Sequence, residues 1–320
     1  MQSDKQAENR KKTKRKAGRR PAGPFDLCDN ETYRDWRAAK LAASPASVSE
    51  LVVEISDLAA PGEAERAALI SLCRKANMAI YTSRPSQTGD GRVRDDLRSF
   101  ARALGLHRVE RHRSAADDGI VAIEVAGDGS RKGYIPYSDR PLSWHTDGYY
   151  NGPADRIGAL VLHCVREADE GGESGLLDPE IAYIRLRDEN PDFIAAFMHA
   201  EAMTIPANVE DNGKVRAPST GPVFAVDPRT GKLNMRYSAR GRNIVWRDDP
   251  DTLAAVHFLA SILANGDRYI FRHKFAPGQG LICNNVLHNR TGFKNPAALS
   301  GRGNRLLYRL RYPERIAGTG

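Results

Sequence analysis

The sequence predicts a mainly β fold with α-helices, in which a barrel or double-stranded β-helix (jelly-roll) core is surrounded by helices. Many short extended segments follow residue 140, and the helical segments lie between them as insertions. A doubly wound parallel sheet would instead show a regular alternation of strands and helices. With 320 residues, of which 41% are hydrophobic, the chain is large enough for one such domain.

The N-terminal half contains two strand patterns and two helix patterns. The apolar residues 51–55 and 78–81 predict short strands. Pro61 favours the first position of a helix that extends to about Asn77. Apolar residues at helical spacing predict a second helix over residues 95–104, and Gly105 is a typical C-terminal cap.

The C-terminal half adds a buried strand, three helix starts and several extended segments. Residues 158–165 form an apolar run that is typical of a buried strand. A polar cap residue followed by proline predicts helix starts at Asp178-Pro179, Asn190-Pro191 and Asp249-Pro250, the last helix ending near Gly266. Extended segments are predicted over residues 232–238, 269–275 and 280–284, over the stretch into His288, and over residues 305–312.

Composition excludes several classes of protein. No run of about 18 apolar residues exists, so we expect no membrane span. No apolar segment near the N-terminus marks a secretory signal. The four cysteines are scattered without the pairing typical of zinc sites, which favours reduced thiols in a cytoplasmic protein.

The net charge of +8 is concentrated in part in the basic residues 11–20. We predict that residues 1–24 form a disordered basic tail and that residues 25–320 form a single domain. The tail lacks aromatic residues that would interleave with its basic ones, so a nucleic acid is not the expected partner. We expect a small-molecule partner and no membrane, and a homo-oligomer is left open.

A candidate metal site lies in the segment Trp144-His145-Thr146-Asp147-Gly148. Side chains two residues apart on an extended segment point to the same side, so His145 and Asp147 can bind one metal ion. His288, at the end of a distant predicted strand, would complete a facial triad of two histidines and one carboxylate, which is typical of non-haem Fe(II) oxygenases. The other six histidines are interpreted as structural.

Arginines occupy one face of the last predicted strand. Arg305, Arg309 and Arg311 alternate with apolar residues on the opposite face. One interpretation is a charged face in contact with solvent. The other is an arginine inside the mouth of the barrel, where a guanidinium could bind a carboxylate in bidentate geometry.

The order of these motifs resembles that of the Fe(II)/2-oxoglutarate-dependent dioxygenases of the taurine dioxygenase (TauD/TfdA) family, from about residue 51 to the end. This superfamily also contains the γ-butyrobetaine and trimethyllysine hydroxylases. The resemblance implies a clavaminate-synthase-like jelly-roll fold. It is carried by His145-x-Asp147, Gly171-Gly172-Glu173-Ser174, Asn284-Asn285-Val286-Leu287-His288 and Arg305-x-x-x-Arg309.

The resemblance implies the roles of these residues. The histidines and Asp147 match the iron ligands, Arg305 the arginine that binds the distal carboxylate of 2-oxoglutarate, and Ser174 replaces the usual threonine beside that co-substrate. Arg309 matches a second arginine near the iron, and Arg311 is the fallback because the loop before Arg305 is long. The implied reaction uses O2 and hydroxylates a small molecule, such as an amino acid, an amine or betaine, or a sulfonate, with release of succinate and CO2. The presence of Asp147 favours oxygenation over halogenation.

Two substrate classes remain open at this point. Tyr137, Tyr149 and Tyr150 could form an aromatic cage for a quaternary ammonium group. Arg236 could instead bind an acidic substrate. Two other functions are also considered: a non-catalytic, metal-binding regulatory protein on the same fold, and a zinc-dependent hydrolase, which would not need the arginine strand.

Overall fold

The computed structural model describes residues 23–85, 90–110, 116–126, 134–209, 215–241, 244–295 and 303–320. Residues 1–22 of the predicted basic tail lie outside the described part of the chain. Two compact units are present, Met1–Ala42 and Ala43–Gly320. Helix α1 (Asn30–Ala43) makes up most of the described part of the first unit. In that unit the rings of Phe25 and Trp36 meet edge to face at 5.0 Å.

The larger sheet has six strands. They are β1 (Val52–Ile55), β2 (Met78–Ser83), β3 (Val121–Ile123), β5 (Ala159–Arg166), β16 (Gln279–Cys283) and β19 (Leu306–Tyr312), where the numbers follow chain order. Their order in the sheet is β1-β2-β16-β5-β19-β3. Only the pair β1–β2 is parallel, so the sheet is built mainly from antiparallel pairing.

A smaller sheet faces the larger one across the core. Its strands are β4 (Leu142–His145), β7 (Ser174–Leu177), β15 (Phe271–His273) and β17 (Leu287–Arg290), in the antiparallel order β15-β7-β17-β4. Leu176 and Phe271 of this sheet share one buried cluster with Leu162, Leu281 and Leu307 of the larger sheet. The core therefore lies between two packed sheets, as in a jelly roll.

Two helices cover the other face of the larger sheet. They are α2 (Glu63–Ala76) and α3 (Asp90–Ala103). Leu69 of α2 and Phe100 of α3 are fully buried in one cluster with Tyr81 and Tyr308 of the sheet. The apolar residues at helical spacing in α3 thus face the core, and the larger sheet is covered on both sides.

Three helices begin where the cap–proline pairs predict. They are α4 (Pro179–Glu189), α5 (Pro191–Phe197) and α6 (Pro250–Asn265). The side chains of Asp178, Asn190 and Asp249 each accept a hydrogen bond from a backbone N–H in the first turn, which satisfies an otherwise unpaired donor. The three predicted helix starts are confirmed. They could be predicted because capping depends only on residues close together in the sequence.

Short segments connect these elements. The strands are β6 (Glu170–Gly171), β8 (Met203–Ile205), β9 (Asn208–Val209), β10 (Val215–Arg216), β11 (Ser219–Gly221), β12 (Phe224–Val226), β13 (Leu233–Met235), β14 (Val245–Trp246) and β18 (Phe293–Lys294). Single 3₁₀ turns cover Val48–Leu51, Ile135–Tyr137 and Pro153–Asp155. Among the described helices none is long and apolar enough to cross a membrane. All four cysteines are free thiols.

Three predicted boundaries are wrong. Helix α2 begins at Glu63 because Gly62 is its cap, and the Gly62 N–H donates to the Glu65 carboxylate at 2.6 Å. Helix α3 begins at Asp90, earlier than its apolar spacing indicates. The strand predicted over residues 232–238 covers only Leu233–Met235. Beyond it the backbone meets the segment after β4, where the Tyr237 carbonyl accepts the N–H of Thr146.

Candidate metal centre

The sheet register brings the two candidate histidine ligands together. His145 ends β4, and His288 lies directly opposite it on the antiparallel strand β17. Their ring centroids are 4.2 Å apart. Asp147 follows two residues after β4, and potential ligand atoms of all three buried side chains lie within 4.8 Å of one another. The structure thus assembles the predicted triad from a cross-strand pair and the adjoining loop.

Both imidazoles are oriented by the backbone. The Nδ1 atom of His145 lies 2.9 Å from the Ser143 carbonyl, and that of His288 lies 2.9 Å from the Val286 carbonyl. A carbonyl only accepts, so each Nδ1 carries the proton and each Nε2 keeps its lone pair for a metal. Burial, and then the neighbouring His288, lowers the pKa of His145 to about 3. Burial also lowers the pKa of His288, so both rings are neutral at pH 7.

One carboxylate oxygen of Asp147 accepts a hydrogen bond, and the other has no partner among the described residues. Its Oδ1 accepts a hydrogen bond from Arg309 Nη1 at 3.2 Å. Its Oδ2 is buried and has no hydrogen-bond partner among the described residues. Burial opposes ionisation, but Arg309 and Arg311 outweigh it and hold the pKa of Asp147 below its usual value. An unpaired carboxylate oxygen beside two neutral imidazoles fits a divalent metal ion, which would compensate the buried charge.

Asn285 holds the backbone of the metal-binding loop. Its Oδ1 accepts the Asp147 N–H at 2.8 Å, and its Nδ2 donates to the carbonyls of Asp147 and Ile157 at 3.0 Å. Asn285 has a positive φ of 53°, which asparagine tolerates better than most residues. Sequence reasoning missed this role. The only signal for it is an asparagine pair before the strand that leads to His288.

The adjacent Asn284 holds the end of the chain instead. Its Oδ1 accepts the N–H of Ile316 at 3.1 Å, and its Nδ2 donates to the hydroxyl of Thr319 at 3.0 Å. The turn between β16 and β17 therefore links the metal-binding loop, through Asn285, with the C-terminal segment.

Arg309 and Arg311 of β19, and Arg305 directly before it, are buried, so the solvent-facing interpretation is wrong. Arg305, Arg309 and Arg311 are 5%, 8% and 3% exposed. Arg309 contacts Asp147, and Arg311 donates to the Tyr150 hydroxyl at 2.9 Å and forms an ion pair with Glu110. The apolar side of the strand packs under the covering helices, so its other side must face the interior between the sheets.

Of these three arginines, Arg305 is the one without a counter-charge among the described residues. Burial lowers the pKa of its guanidinium to about 10, and its Cζ lies 4.9 Å from the centre of the Phe293 ring. Its guanidinium has no hydrogen-bond acceptor among the described residues. A Cβ added to Gly172 would lie 3.3 Å from Arg305 Nε, so the glycine leaves room for the guanidinium. Ser174 is buried two residues further on, on β7.

The four candidate substrate residues fall into different places. Tyr149 meets the His145 ring edge to face at 6.4 Å, and Tyr150 meets Tyr149 at 5.3 Å. Arg236 donates to backbone carbonyls, including that of Ser219 at 2.7 Å. Tyr149 and Arg236 also line a cleft of about 540 Å³, part of it open solvent, which reaches Asp147. Tyr137 is buried in a 3₁₀ turn and is not among the lining residues described for this cleft.

Comparison with known proteins is consistent across sequence and structure. Residues 82–311 match the model of the family described as taurine catabolism dioxygenase TauD, TfdA. Uridine-5'-phosphate dioxygenase from Amycolatopsis sp is 29% identical over 158 residues, which cover 48% of this chain and 55% of that protein. The chain thus spans about half the length of this curated relative.

Two solved structures share the fold at low identity. Asparagine oxygenase in complex with Fe(II), 2S,3S-3-hydroxyasparagine and succinate has a TM-score of 0.53 at 13% identity, over 82% of this chain and 94% of that one. The non-haem iron oxygenase OrfP in complex with Fe and alpha-ketoglutaric acid has a TM-score of 0.56 at 18% identity, over 80% and 82%. The predicted fold class is confirmed.

Proposed function

The chain belongs to the taurine catabolism dioxygenase TauD, TfdA family, and from this membership we propose that it is an Fe(II)- and 2-oxoglutarate-dependent dioxygenase that hydroxylates a small molecule. The resemblance stated from the sequence motifs is thereby confirmed at the level of the family. The observation that carries the proposal is the ligand set itself, in which two neutral imidazoles and one unpaired carboxylate oxygen converge.

In this proposal His145, Asp147 and His288 hold the iron. Three protein ligands on one face leave the remaining coordination positions to co-substrate and oxygen. When bound, iron(II), 2-oxoglutarate and O2 supply the oxidising chemistry that yields succinate, CO2 and a hydroxylated product. Arg309 keeps Asp147 ionised and ready to bind the metal.

Arg305 and Ser174 are proposed to hold the distal carboxylate of 2-oxoglutarate. A buried guanidinium without a counter-charge costs free energy, and a carboxylate ligand would compensate it. Neither a regulatory metal-binding protein nor a zinc hydrolase needs such a group. A buried arginine that needs a carboxylate ligand to compensate its charge therefore favours the dioxygenase over both alternatives.

The substrate itself is proposed only as a small molecule. The names of the similar proteins refer to uridine-5'-phosphate, asparagine and, in complexes of OrfP, hydroxylated L-arginine. These compounds share no common charge or shape. They support a small-molecule substrate without selecting one.

Succinate formation is the direct test. The protein is purified without oxygen, loaded with Fe(II) and 2-oxoglutarate, exposed to O2 and screened with nucleotides, amino acids, amines and sulfonates. We expect succinate with at least one compound, and slow uncoupled succinate formation without any. His145→Ala should lose iron binding, whereas the exposed His257→Ala on α6 should retain it. Bound iron without any 2-oxoglutarate turnover would contradict the proposal.

A further inference from the structure

Arg290 lies on the inner side of β17, close to the proposed co-substrate site. Side chains two residues apart on a strand share a face, so Arg290 points to the same side as His288. The register places Arg290 directly opposite Ser174 of β7. The residue is buried, and its Nε has no hydrogen-bond partner among the described residues. A second buried guanidinium therefore lies beside the residues proposed to bind 2-oxoglutarate.

The ring of Phe293 links Arg290 with Arg305. The guanidinium carbons of these two arginines lie 4.7 Å and 4.9 Å from the centre of the ring. Both distances fall within the range of cation–π attraction. Within the described part of the chain, neither guanidinium forms an ion pair. The aromatic ring is thus a contact that both charges share, and its attraction offsets part of the cost of burying them.

The position of Phe293 is fixed by the backbone around it. Its N–H donates to the Asp139 carbonyl at 3.0 Å, and on β18 it pairs with Gly171 of β6. Two residues earlier, the Thr291 hydroxyl accepts the N–H of Glu173 at 3.0 Å. The turn after β17 is therefore bound to the turn before β7, and the buried ring between them has a defined place.

Arg290 is held in place by hydrogen bonds, whereas Arg305 is not. The Nη2 atom of Arg290 donates to the Ser138 carbonyl at 2.8 Å and also to the Arg140 carbonyl. The guanidinium of Arg305 has no acceptor among the described residues. A free arginine side chain rotates about several bonds, so contact with the Phe293 ring limits the motion of Arg305.

We propose that Phe293 is a positioning residue, whose ring holds the Arg305 guanidinium where the distal carboxylate of 2-oxoglutarate meets it. Arg290 fixes the ring from its own side. A side chain that is already restricted loses less conformational freedom when it binds a ligand, so the ring increases affinity without touching the co-substrate. The inference rests on the proposed function, because it depends on Arg305 as the group that binds this carboxylate.

Variants of the ring test the proposal through binding. The affinity for 2-oxoglutarate is measured by calorimetry, without oxygen, on the protein loaded with Fe(II). Phe293→Leu removes the ring but stays apolar, and should weaken binding on the order of fivefold. Phe293→Tyr keeps the aromatic face and should retain most of the affinity. Phe258→Leu removes a ring from α6, where its aromatic neighbour is Phe193, and should change nothing.

A second background separates positioning from a general effect on the fold. In Arg305→Ala the ring has no guanidinium to hold, so Phe293→Leu should cause no further loss of 2-oxoglutarate affinity there. Iron content and thermal unfolding confirm that each variant is loaded and folded. Unchanged affinity in Phe293→Leu would overturn the proposal. So would a loss of equal size in both backgrounds.

The same measurements distinguish this inference from the proposed function. If the unchanged protein binds 2-oxoglutarate and forms succinate, but Phe293→Leu binds it equally well, the dioxygenase proposal stands and the positioning role fails. If the unchanged protein does not bind 2-oxoglutarate, the proposed function fails and the positioning role fails with it.

Discussion

Arg305 is the residue whose role depends most on what it lacks. Its buried guanidinium packs near Phe293 and Gly172 and has no acceptor among the described residues. Both arginines of β19, the strand that follows it, have protein partners: Arg309 contacts Asp147, and Arg311 contacts Tyr150 and Glu110. The difference supports Arg305, and not the fallback Arg311, as the group that meets a ligand carboxylate.

Replacement of Arg305 should separate co-substrate binding from metal binding. We expect Arg305→Ala to retain iron, because it is not one of the triad, and to raise the apparent KM for 2-oxoglutarate on the order of 100-fold. Succinate formation at varied 2-oxoglutarate gives the KM, and a chelator assay gives the iron content. An unchanged KM would assign the carboxylate to another arginine.

At the scale of elements, the central strand β5 carries a buried histidine outside the metal centre. His163 Nδ1 lies 3.2 Å from the Tyr81 hydroxyl, and the two rings stack at 5.9 Å. Burial lowers the pKa of His163 from 6.5 to about 4. The folded sheet therefore holds this ring neutral at pH values where an unfolded chain would protonate it.

This shift predicts a loss of stability in acid. Because the folded pKa is lower than the unfolded one, the unfolded state binds the extra proton, and stability falls as the pH drops from about 6.5 toward 4. The variant His163→Phe has no group to protonate at this position. Between pH 7 and pH 4 its free energy of unfolding should therefore fall by on the order of 2 to 3 kcal/mol less than that of the unchanged protein. Urea unfolding of both metal-free proteins at pH 7 and pH 4 measures it. Parallel pH profiles would contradict the assignment.

At the scale of the whole molecule, the proposed metal ligands come from two strands far apart in sequence. His145 and His288 are opposite each other only when β4 and β17 pair in the folded register. An unfolded chain does not bring them together, so the metal binds the folded state preferentially and stabilises it.

Metal addition should therefore raise the unfolding temperature in a concentration-dependent way. At a free Fe(II) concentration of about 100 Kd, the expected stabilisation is about 2.7 kcal/mol. Thermal unfolding without oxygen, with Fe(II) or with a chelator, measures it. His145→Ala should show no stabilisation, and His257→Ala should behave like the unchanged protein. Equal unfolding temperatures with and without metal would argue against a site at the triad.

What the sequence predicted was mainly local. Asp178, Asn190 and Asp249 mark helix starts because a cap acts within one turn, and His145 and Asp147 share a side because strand geometry alternates. The pairing of His288 with His145 and the burial of the arginine face depend on which strands are neighbours. No local pattern fixes that order. The sequence alone therefore did not decide whether the arginine face of the last strand meets solvent or the interior of the barrel.

The turn that carries Asn284 and Asn285 has a practical consequence for protein engineering. The Asn285 side chain is hydrogen-bonded to the Asp147 loop, and the Asn284 side chain is hydrogen-bonded to Ile316 and Thr319. The last residues are further anchored by Arg74, which donates to the Gly318 carbonyl at 2.7 Å. A linker used to immobilise the protein is thus better attached away from residues 316–319, because this segment is two hydrogen-bonded contacts away from the proposed iron site.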